Sequence, residues 1–350
     1  MSSSSQHAAE YRDVRLSYSP SLPKLLTQLR ISLLITTYQT GHLIVLHARQ
    51  NQLKYTFHQF ERAMGVAYRP DCIAVCTARE VWFARNAPEL AANIEPLGRH
   101  DACYLARTTH FTGDISAHES AWVGNELWIV NSLFSCLCSL HPYYSFVPRW
   151  RPPFISTLVP EDRCHLNGLA IVNGQPKYVT ALGETDTHQG FRDVRETGGC
   201  IMEVPSGRVV SRGLAGPHSP RVYNGGLFVL NAGHGRLETV DPSTGSRKTI
   251  ADLQGFSRGM AIHRGLAFIG LSKIRSTWSG IPLADRREEL KCGLAVVDLH
   301  TGNHIAQFDI TAGVDEVFNV TVLPGITAPF FSGPLAEQDS GQPMWAIPPG

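Results

Sequence analysis

The chain has 350 residues, of which 43% are hydrophobic, and it contains 31 glycines and 22 prolines. Its net charge of +1 at pH 7 excludes the basic surface typical of nucleic-acid-binding proteins and of polybasic membrane-binding proteins. Residues 1–8, MSSSSQHA, lack the apolar core of a signal peptide, and no apolar run approaches the roughly 18 residues that span a membrane, so we expect a cytoplasmic protein with neither nucleic acid nor membrane as a partner.

The N-terminal part of the chain predicts three β-strands that lack a partner. We expect residues 1–30 to be a polar, partly disordered leader. The apolar segments 31–37, 41–47 and 53–60 then follow with the spacing of the second, third and fourth strands of one sheet. No first strand precedes them, so it must come from elsewhere in the chain.

A strand–turn–strand pattern then recurs along the rest of the chain. The clearest copy is GPHSPRVYNGGLFVLN at residues 216–231, where Asn224 and Gly225 form a typical type I′ turn between two apolar strands. The six copies start at Arg62, His118, His165, His218, Phe256 and Val317. A repeat of roughly fifty residues with strands and no helical period predicts the blades of a β-propeller.

The last copy, residues 317–326, supplies one inner strand and is followed by a proline-rich tail, residues 327–350. The tail is too short for three more strands. We therefore predict that the C-terminal inner strand joins the three N-terminal strands, which closes the ring and removes exposed sheet edges. The prediction is an all-β, six-bladed β-propeller with 1+3 closure, formed by residues 31–326 as a single domain.

Three polar insertions interrupt the strands, at residues 86–112, 183–199 and 272–291. The last two fall between the second and third strands of their blades. In a propeller this connection lies on the same face as the loops that enter the inner strands. We therefore expect these insertions to wall the channel mouth on one face, called here the top face, and we expect a small-molecule or peptide ligand there.

Histidine occupies the same repeat position in three successive blades, at His118, His165 and His218. Only 15 of the 350 residues are histidine, so this coincidence is unlikely by chance. Three imidazoles from neighbouring blades can bind a divalent transition metal such as zinc, iron or manganese and leave a position open for water or substrate. Alternatively, they line a wet channel and bond waters and loop carbonyls.

Other polar residues are expected at the same rim. Glu119 and Glu316 are candidate general bases. Four cationic candidates could bind a carboxylate, sulfate or phosphate, or could instead pair with acidic loop residues: Arg221, Arg258, Lys273 and Arg275. The remaining candidate substrate-binding residues are Asn131, Asn167, Ser219, Asn231, His234 and Asn319.

Several familiar motifs are excluded. Residues 255–259, GFSRG, match the nucleophile elbow, but the segment after them predicts a strand rather than the helix that this motif needs, so Ser257 is not expected to be a nucleophile. No dinucleotide fingerprint or P-loop is present, and we expect no nucleotide cofactor. The eight cysteines are expected to be buried free thiols.

Five segments carry a resemblance to a known family: GETDTHQGFR, GPHSPRVYNGGLFVLNAGHG, LQGFSRGMAI, FIGLSKIR and EVFNVTVLPG. Together, over residues 31–324, they resemble uncharacterised bacterial propeller-like proteins that carry a domain of unknown function. The resemblance implies a propeller and no particular activity. In architecture the chain is also similar to six-bladed gluconolactonases and paraoxonases, which hold a divalent cation through Asp, Glu and Asn ligands. Histidines in this position favour a transition metal over calcium.

Two functions remain open. The first is a metal-dependent hydrolase, lyase or isomerase that acts on a small anionic substrate at the channel mouth. The second is a binding module that presents residues 185–197 and 272–291 to a peptide, glycan or protein. We favour the enzyme, because the unusual residues point into the channel, and a protein-binding face more often shows exposed aromatic residues.

Overall fold

The computed structural model describes residues 13–276, 278, 280–337, 344, 345 and 347. These residues form six sheets arranged around one axis, and this confirms the predicted six-bladed, all-β propeller. In chain order the strands are β1 (Arg15–Tyr18), β2 (Ile31–Thr37), β3 (His42–Arg49), β4 (Gln52–Gln59), β5 (Val66–Arg69), β6 (Cys72–Cys76), β7 (Glu80–Asn86), β8 (Ala102–Phe111), β9 (Ala117–Val123), β10 (Glu126–Asn131), β11 (Cys136–His141), β12 (Tyr144–Trp150), β13 (Leu166–Val172), β14 (Gln175–Ala181), β15 (Gly199–Glu203), β16 (Val209–Leu214), β17 (Pro217–Tyr223), β18 (Gly226–Asn231), β19 (Arg236–Val240), β20 (Arg247–Asp252), β21 (Phe256–His263), β22 (Leu266–Ser272), β23 (Gly293–Asp298), β24 (His304–Ala312), β25 (Asn319–Pro324) and β26 (Pro329–Ser332).

Short helices connect some of these strands. They are α1 (Ser21–Leu29), α2 (Pro88–Ala91), α3 (Phe191–Val194) and two 3₁₀ helices, Ala232–His234 and Pro282–Glu289. Within the described residues, no helix combines the length and the apolar character needed to cross a membrane.

The ring closes in the predicted 1+3 manner. Blade 1 is ordered β25–β2–β3–β4, and β25 pairs antiparallel with β2 from Ile31 opposite Pro324 to Thr36 opposite Asn319. Blades 2 to 6 take their four strands consecutively from β5 to β24. The first strand of each of these blades, and β25 in blade 1, is the inner strand. Contacts between successive inner strands run around the whole ring, so they surround the axis.

The segments outside residues 31–326 extend two of the sheets. β1 pairs with β24 at the outer edge of blade 6, and β26 pairs in parallel with β8 at the outer edge of blade 2. Helix α1 packs through Leu22 and Leu26 into the core of blades 1 and 6. Residues 1–12 of the predicted leader, and residues 338–343, 346 and 348–350 of the predicted tail, lie outside the described residues.

The insertion expected at residues 86–112 is shorter than predicted, because β8 occupies most of its second half. It connects the third and fourth strands of blade 2, which places it on the face opposite the channel mouth.

The core lies between neighbouring blades, because each sheet packs both of its faces against the next blade. Leu34 and Val45 of blade 1, for example, share a buried cluster with Ile73 and Val75 of blade 2. Every residue of β2 is buried, which explains its nearly continuous apolar sequence. All eight cysteines are free and seven are buried, in agreement with the sequence.

The inner strands of blades 6 and 1 approach each other closely at Gly259. Its φ is +71°, and a Cβ added there would lie 2.5 Å from the backbone nitrogen of Val320. We expect Gly259→Ala to lower the free energy of unfolding by about 2–3 kcal/mol, because it adds both backbone strain and a steric clash. Chemical denaturation would measure the loss.

Gly265→Ala is the matched control for that prediction. Gly265 also has a positive φ, of +80°, but nothing lies within 4 Å of an added Cβ. The control therefore isolates the backbone strain, which costs about 1 kcal/mol. Equal losses in the two variants would show that the close approach at Gly259 adds no steric cost to the substitution.

Candidate functional site

A cavity of about 170 Å³ opens at the top face, where the inner strands begin. All six blades contribute to its lining. The inserted segment of blade 4 provides Phe191, Arg192 and Arg195, and the inserted segment of blade 6 provides Arg275 and Trp278. The structure therefore places both insertions at the channel mouth. The cavity has room for a small molecule rather than for a folded partner.

The three predicted histidines meet in this cavity. His118 and His218 lie near the starts of β9 and β17, and His165 directly precedes β13. The ring centroid of His118 is 5.5 Å from that of His165 and 5.4 Å from that of His218. Phe318 packs against His118 with a centroid distance of 4.6 Å, so an aromatic wall adjoins the three imidazoles.

Two of these histidines have one ring nitrogen bonded to an oxygen acceptor. Nδ1 of His165 donates to Oδ2 of Asp162 over 2.8 Å, and Nδ1 of His218 donates to the carbonyl oxygen of Gly216 over 2.9 Å. In the neutral rings of His165 and His218, Nε2 therefore carries the lone pair.

Two of the three histidines are neutral at physiological pH. Burial is the main cause that lowers the pKa of His118 and of His218 well below the usual 6.5. The neighbouring His218, His165 and Arg258 lower the pKa of His118 further, and Arg258 does the same for His218. The cavity therefore presents neutral imidazoles next to a cation.

That cation, Arg258, is buried between aromatic rings. The centre of its guanidinium lies 5.1 Å from the ring of Phe256 and 5.7 Å from the ring of Phe318, and its side chain is 10% exposed. Its Nε is buried and has no hydrogen-bond partner among the described residues. Burial lowers the pKa of Arg258 to about 10, which still leaves it protonated at neutral pH.

The carboxylate of Glu316, beside Arg258, is already engaged by a second arginine. Glu316 is 1% exposed, and its Oε2 accepts a hydrogen bond of 2.7 Å from Nη2 of Arg275 while its Oε1 accepts from Nε. Nη1 of Arg258 is 3.8 Å from Oε2 of Glu316, too far for a hydrogen bond. One carboxylate thus serves two guanidinium groups, which together carry one positive charge more than it offsets.

Arg221 and Glu119 do not line the cavity. The guanidinium of Arg221 donates to the carbonyl oxygens of Met260 and Leu169 and pairs with the carboxylate of Glu119. Oε2 of Glu119 also accepts from the backbone nitrogen of Leu169 over 2.9 Å. This network joins blades 3, 4, 5 and 6. Both residues brace the ring, whereas the sequence predicted a base and a substrate contact.

The predicted asparagines and Ser219 also bond to protein groups and lie outside the cavity lining. Asn131 and Asn231 accept hydrogen bonds from the backbone nitrogens of Phe134 and Ala215 respectively. The side-chain oxygens of Asn167, Ser219 and Asn319 accept from Thr180 Oγ1, Gly259 N and Thr321 Oγ1 respectively. These residues stabilise loops and strand pairs around the channel.

The other predicted residues at the mouth are spread out. Lys273 pairs with Asp315 over 2.8 Å at an exposed position, and His234 lies in the 3₁₀ helix after β18, outside the lining. Glu316 does not line the cavity either; it is buried and paired with Arg275. Of the predicted site, the structure brings together five residues in the cavity: His118, His165, His218, Arg258 and Arg275.

Sequence reasoning missed several lining residues. Asp162 precedes His165 by three residues in a loop, and this spacing next to a conspicuous histidine could have identified it. Phe191 and Trp278 lie in irregular insertions that have no periodic signal. Phe318 is one residue beyond the predicted start of the last repeat. The repeat alignment matched Val317, rather than Phe318, to the position of the three histidines.

Within the described part of the chain, no group of three or more His, Cys, Asp or Glu side chains is arranged to hold a metal ion as it stands.

Comparisons with known proteins identify a family. A family model described as "Domain of unknown function (DUF4915)" matches residues 20–331. A chain in a crystal structure of a nidogen/laminin complex is similar with a TM-score of 0.53 and 13% identity, covering 84% of this chain and 99% of that chain, and this shows the fold alone. No curated protein matches the chain significantly. The family model spans most of the chain, in agreement with the resemblance found in the sequence, and the protein therefore belongs to the DUF4915 family.

Proposed function

We propose that the protein is an enzyme that acts on a small anionic substrate bound in the top-face cavity. The observation that carries this proposal is Arg258, a buried guanidinium with an unpartnered Nε and one distant carboxylate. A buried cation with an unsatisfied donor and no close counter-ion carries a desolvation cost. An anionic ligand group that pairs with Arg258 would offset this cost.

The cavity limits what that substrate can be. About 170 Å³ accommodates a small molecule, and Phe318, Trp278 and Tyr38 provide apolar walls. Arg192 and Arg195 add positive charge at the mouth, which favours the approach of anions. These features support a compact carboxylate, phosphate ester or sulfate as substrate.

The histidines provide the means for catalysis. The neutral imidazoles of His118 and His218 can accept a proton, and the carboxylate of Asp162 orients His165 in the manner of a general base. A histidine therefore replaces Glu119 and Glu316 as the proposed base. Such a site suits hydrolysis, elimination or isomerisation of an anionic substrate. If the three imidazoles held a metal ion, its bound water would supply the base in place of a histidine.

Binding experiments test this proposal. We expect calorimetric titration with a panel of small carboxylates, phosphate esters and sulfates to identify a class that binds. Arg258→Met should weaken its binding about 30-fold or more, because loss of a buried charged contact costs about 2 kcal/mol or more. Lys248→Met is the matched control, since it removes one positive charge from an exposed position on β20.

The outcomes separate the two functional classes. Absence of binding across the panel, or equal binding by Arg258→Met and the wild type, would contradict the anion site. Tight binding of a ligand that mass spectrometry then recovers chemically unchanged would support a binding module instead of an enzyme.

We also propose a cytoplasmic location. The eight cysteines are free, and burial raises the pKa of the Cys76 and Cys164 thiols to about 12. Thiols that stay unpaired are typical of a reducing compartment.

A further inference from the structure

We infer that His118, His165 and His218 form a binding site for one divalent transition-metal ion, with zinc the best suited. The three side chains come from blades 3, 4 and 5 and converge in one cavity. The location of this site does not depend on the proposed anion binding, and the two can fail separately.

Two of the three ring pairs have a spacing close to that of a known kind of site. When three imidazoles bind one zinc ion tetrahedrally through Zn–N bonds of about 2.0–2.1 Å, their ring centroids lie about 5 Å apart. The centroid distances from His118, 5.5 Å and 5.4 Å, exceed this by only a few tenths of an ångström. An ion would therefore need to draw the rings slightly together.

The surroundings of the rings allow that movement. His165 lies in the loop before β13, and its side chain is 24% exposed, more than those of its two partners. The cavity leaves space beside the exposed side of the His165 ring. As they stand, the three side chains do not hold a metal ion, so binding requires the rings to move toward one another.

The outer hydrogen bonds match those of metal-binding histidines. Such histidines usually donate their second ring nitrogen to a carboxylate or a backbone carbonyl, which fixes the ring and its tautomer. Here His165 donates to Asp162 and His218 to the carbonyl of Gly216. The carboxylate partner of His165 favours a metal site, because histidines that line a wet channel would bond waters and loop carbonyls.

The ligand set selects the ion. Nitrogen ligands favour zinc and its first-row neighbours, whereas calcium and magnesium prefer oxygen. Arg258 repels a cation in this cavity, and the carboxylate of Asp162 offsets only part of that repulsion. If the proposed anionic substrate lies between the ion and Arg258, each ligand strengthens the binding of the other. This coupling rests on the proposed function, but the metal site itself does not.

Metal analysis of the untagged protein tests the inference. We expect elemental mass spectrometry to find close to one metal ion per chain, either as purified or after incubation with Zn²⁺, Fe²⁺ or Mn²⁺ and desalting. His118→Ala and His218→Ala should lose the ion, while His300→Ala, at an exposed turn, should keep it. Substitution with Co²⁺ should give the visible absorption of a four-coordinate site, a readout independent of activity.

Asp162→Asn leaves all three histidines in place, so it tests the site even if the histidine variants fail to fold. As Asp162 acts through His165, it is a positioning residue, and its replacement should weaken zinc binding about 10–100-fold. Substoichiometric metal in the wild type after reconstitution, or metal retained by the histidine variants, would overturn the inference. Anion titrations of chelator-treated protein keep this result separate from the proposed function, because that protein can still bind the anion through Arg258.

Discussion

Arg221→Met should lower the free energy of unfolding by about 3–5 kcal/mol, the cost of leaving one partner of a buried ion pair alone. Glu119 is the partner left behind, with a side chain that is 5% exposed. The carbonyl oxygens of Leu169 and Met260 would also lose their contacts with the guanidinium. Because these contacts join four blades, the loss should weaken the ring as a whole.

Chemical denaturation would measure this loss, with Arg236→Met as the matched control. Arg236 pairs with Asp252 over 3.2 Å, but both side chains are largely exposed, and such pairs contribute about 0–1 kcal/mol. Adding Glu119→Gln to Arg221→Met should recover part of the stability, since it removes the stranded charge. If Arg221→Met costs no more than the control, the network does not brace the channel.

The blades could be predicted from the sequence because their pattern is periodic and local. Alternating strands, tight turns and a repeat of roughly fifty residues mark each unit. The partner of β2 could be predicted as well, because the first three strands lacked an inner strand and the last repeat supplied one. β1 and β26 could not, because each has four residues and pairs only where the fold leaves an edge open.

Only part of the site could be predicted, because small irregularities in the strands decide which side chains reach the cavity. The pairing of β17 with β18 shifts between His218 and Arg221, and that of β21 with β22 shifts between Arg258 and Met260. Such bulges interrupt the alternation of side chains along a strand. The sequence therefore placed Arg221 and Arg258 in one group, although only Arg258 reaches the cavity.

Arg258→Met should have the opposite effect on stability and raise the free energy of unfolding of the ligand-free protein by about 1–3 kcal/mol, because it removes a buried donor that has no hydrogen-bond partner among the described residues. The methionine side chain fits the apolar space between Phe256 and Phe318 and carries no charge to desolvate. Glu316 keeps its paired hydrogen bonds to Arg275, so the substitution strands no carboxylate. A gain in stability together with a loss of anion binding is typical of residues kept for function.

Thermal and chemical denaturation without added anions would measure this gain, and Arg275→Met is the matched variant. That variant leaves Glu316 with only the distant contact to Arg258, at 3.8 Å, and should therefore destabilise the protein. If Arg258→Met destabilised the protein as much as Arg275→Met, Arg258 would be a structural partner of Glu316. The argument for an anionic substrate would then lose its main support. If instead Arg258→Met stabilises the protein and Arg275→Met destabilises it, Arg258 is retained at a cost in stability because it binds a ligand.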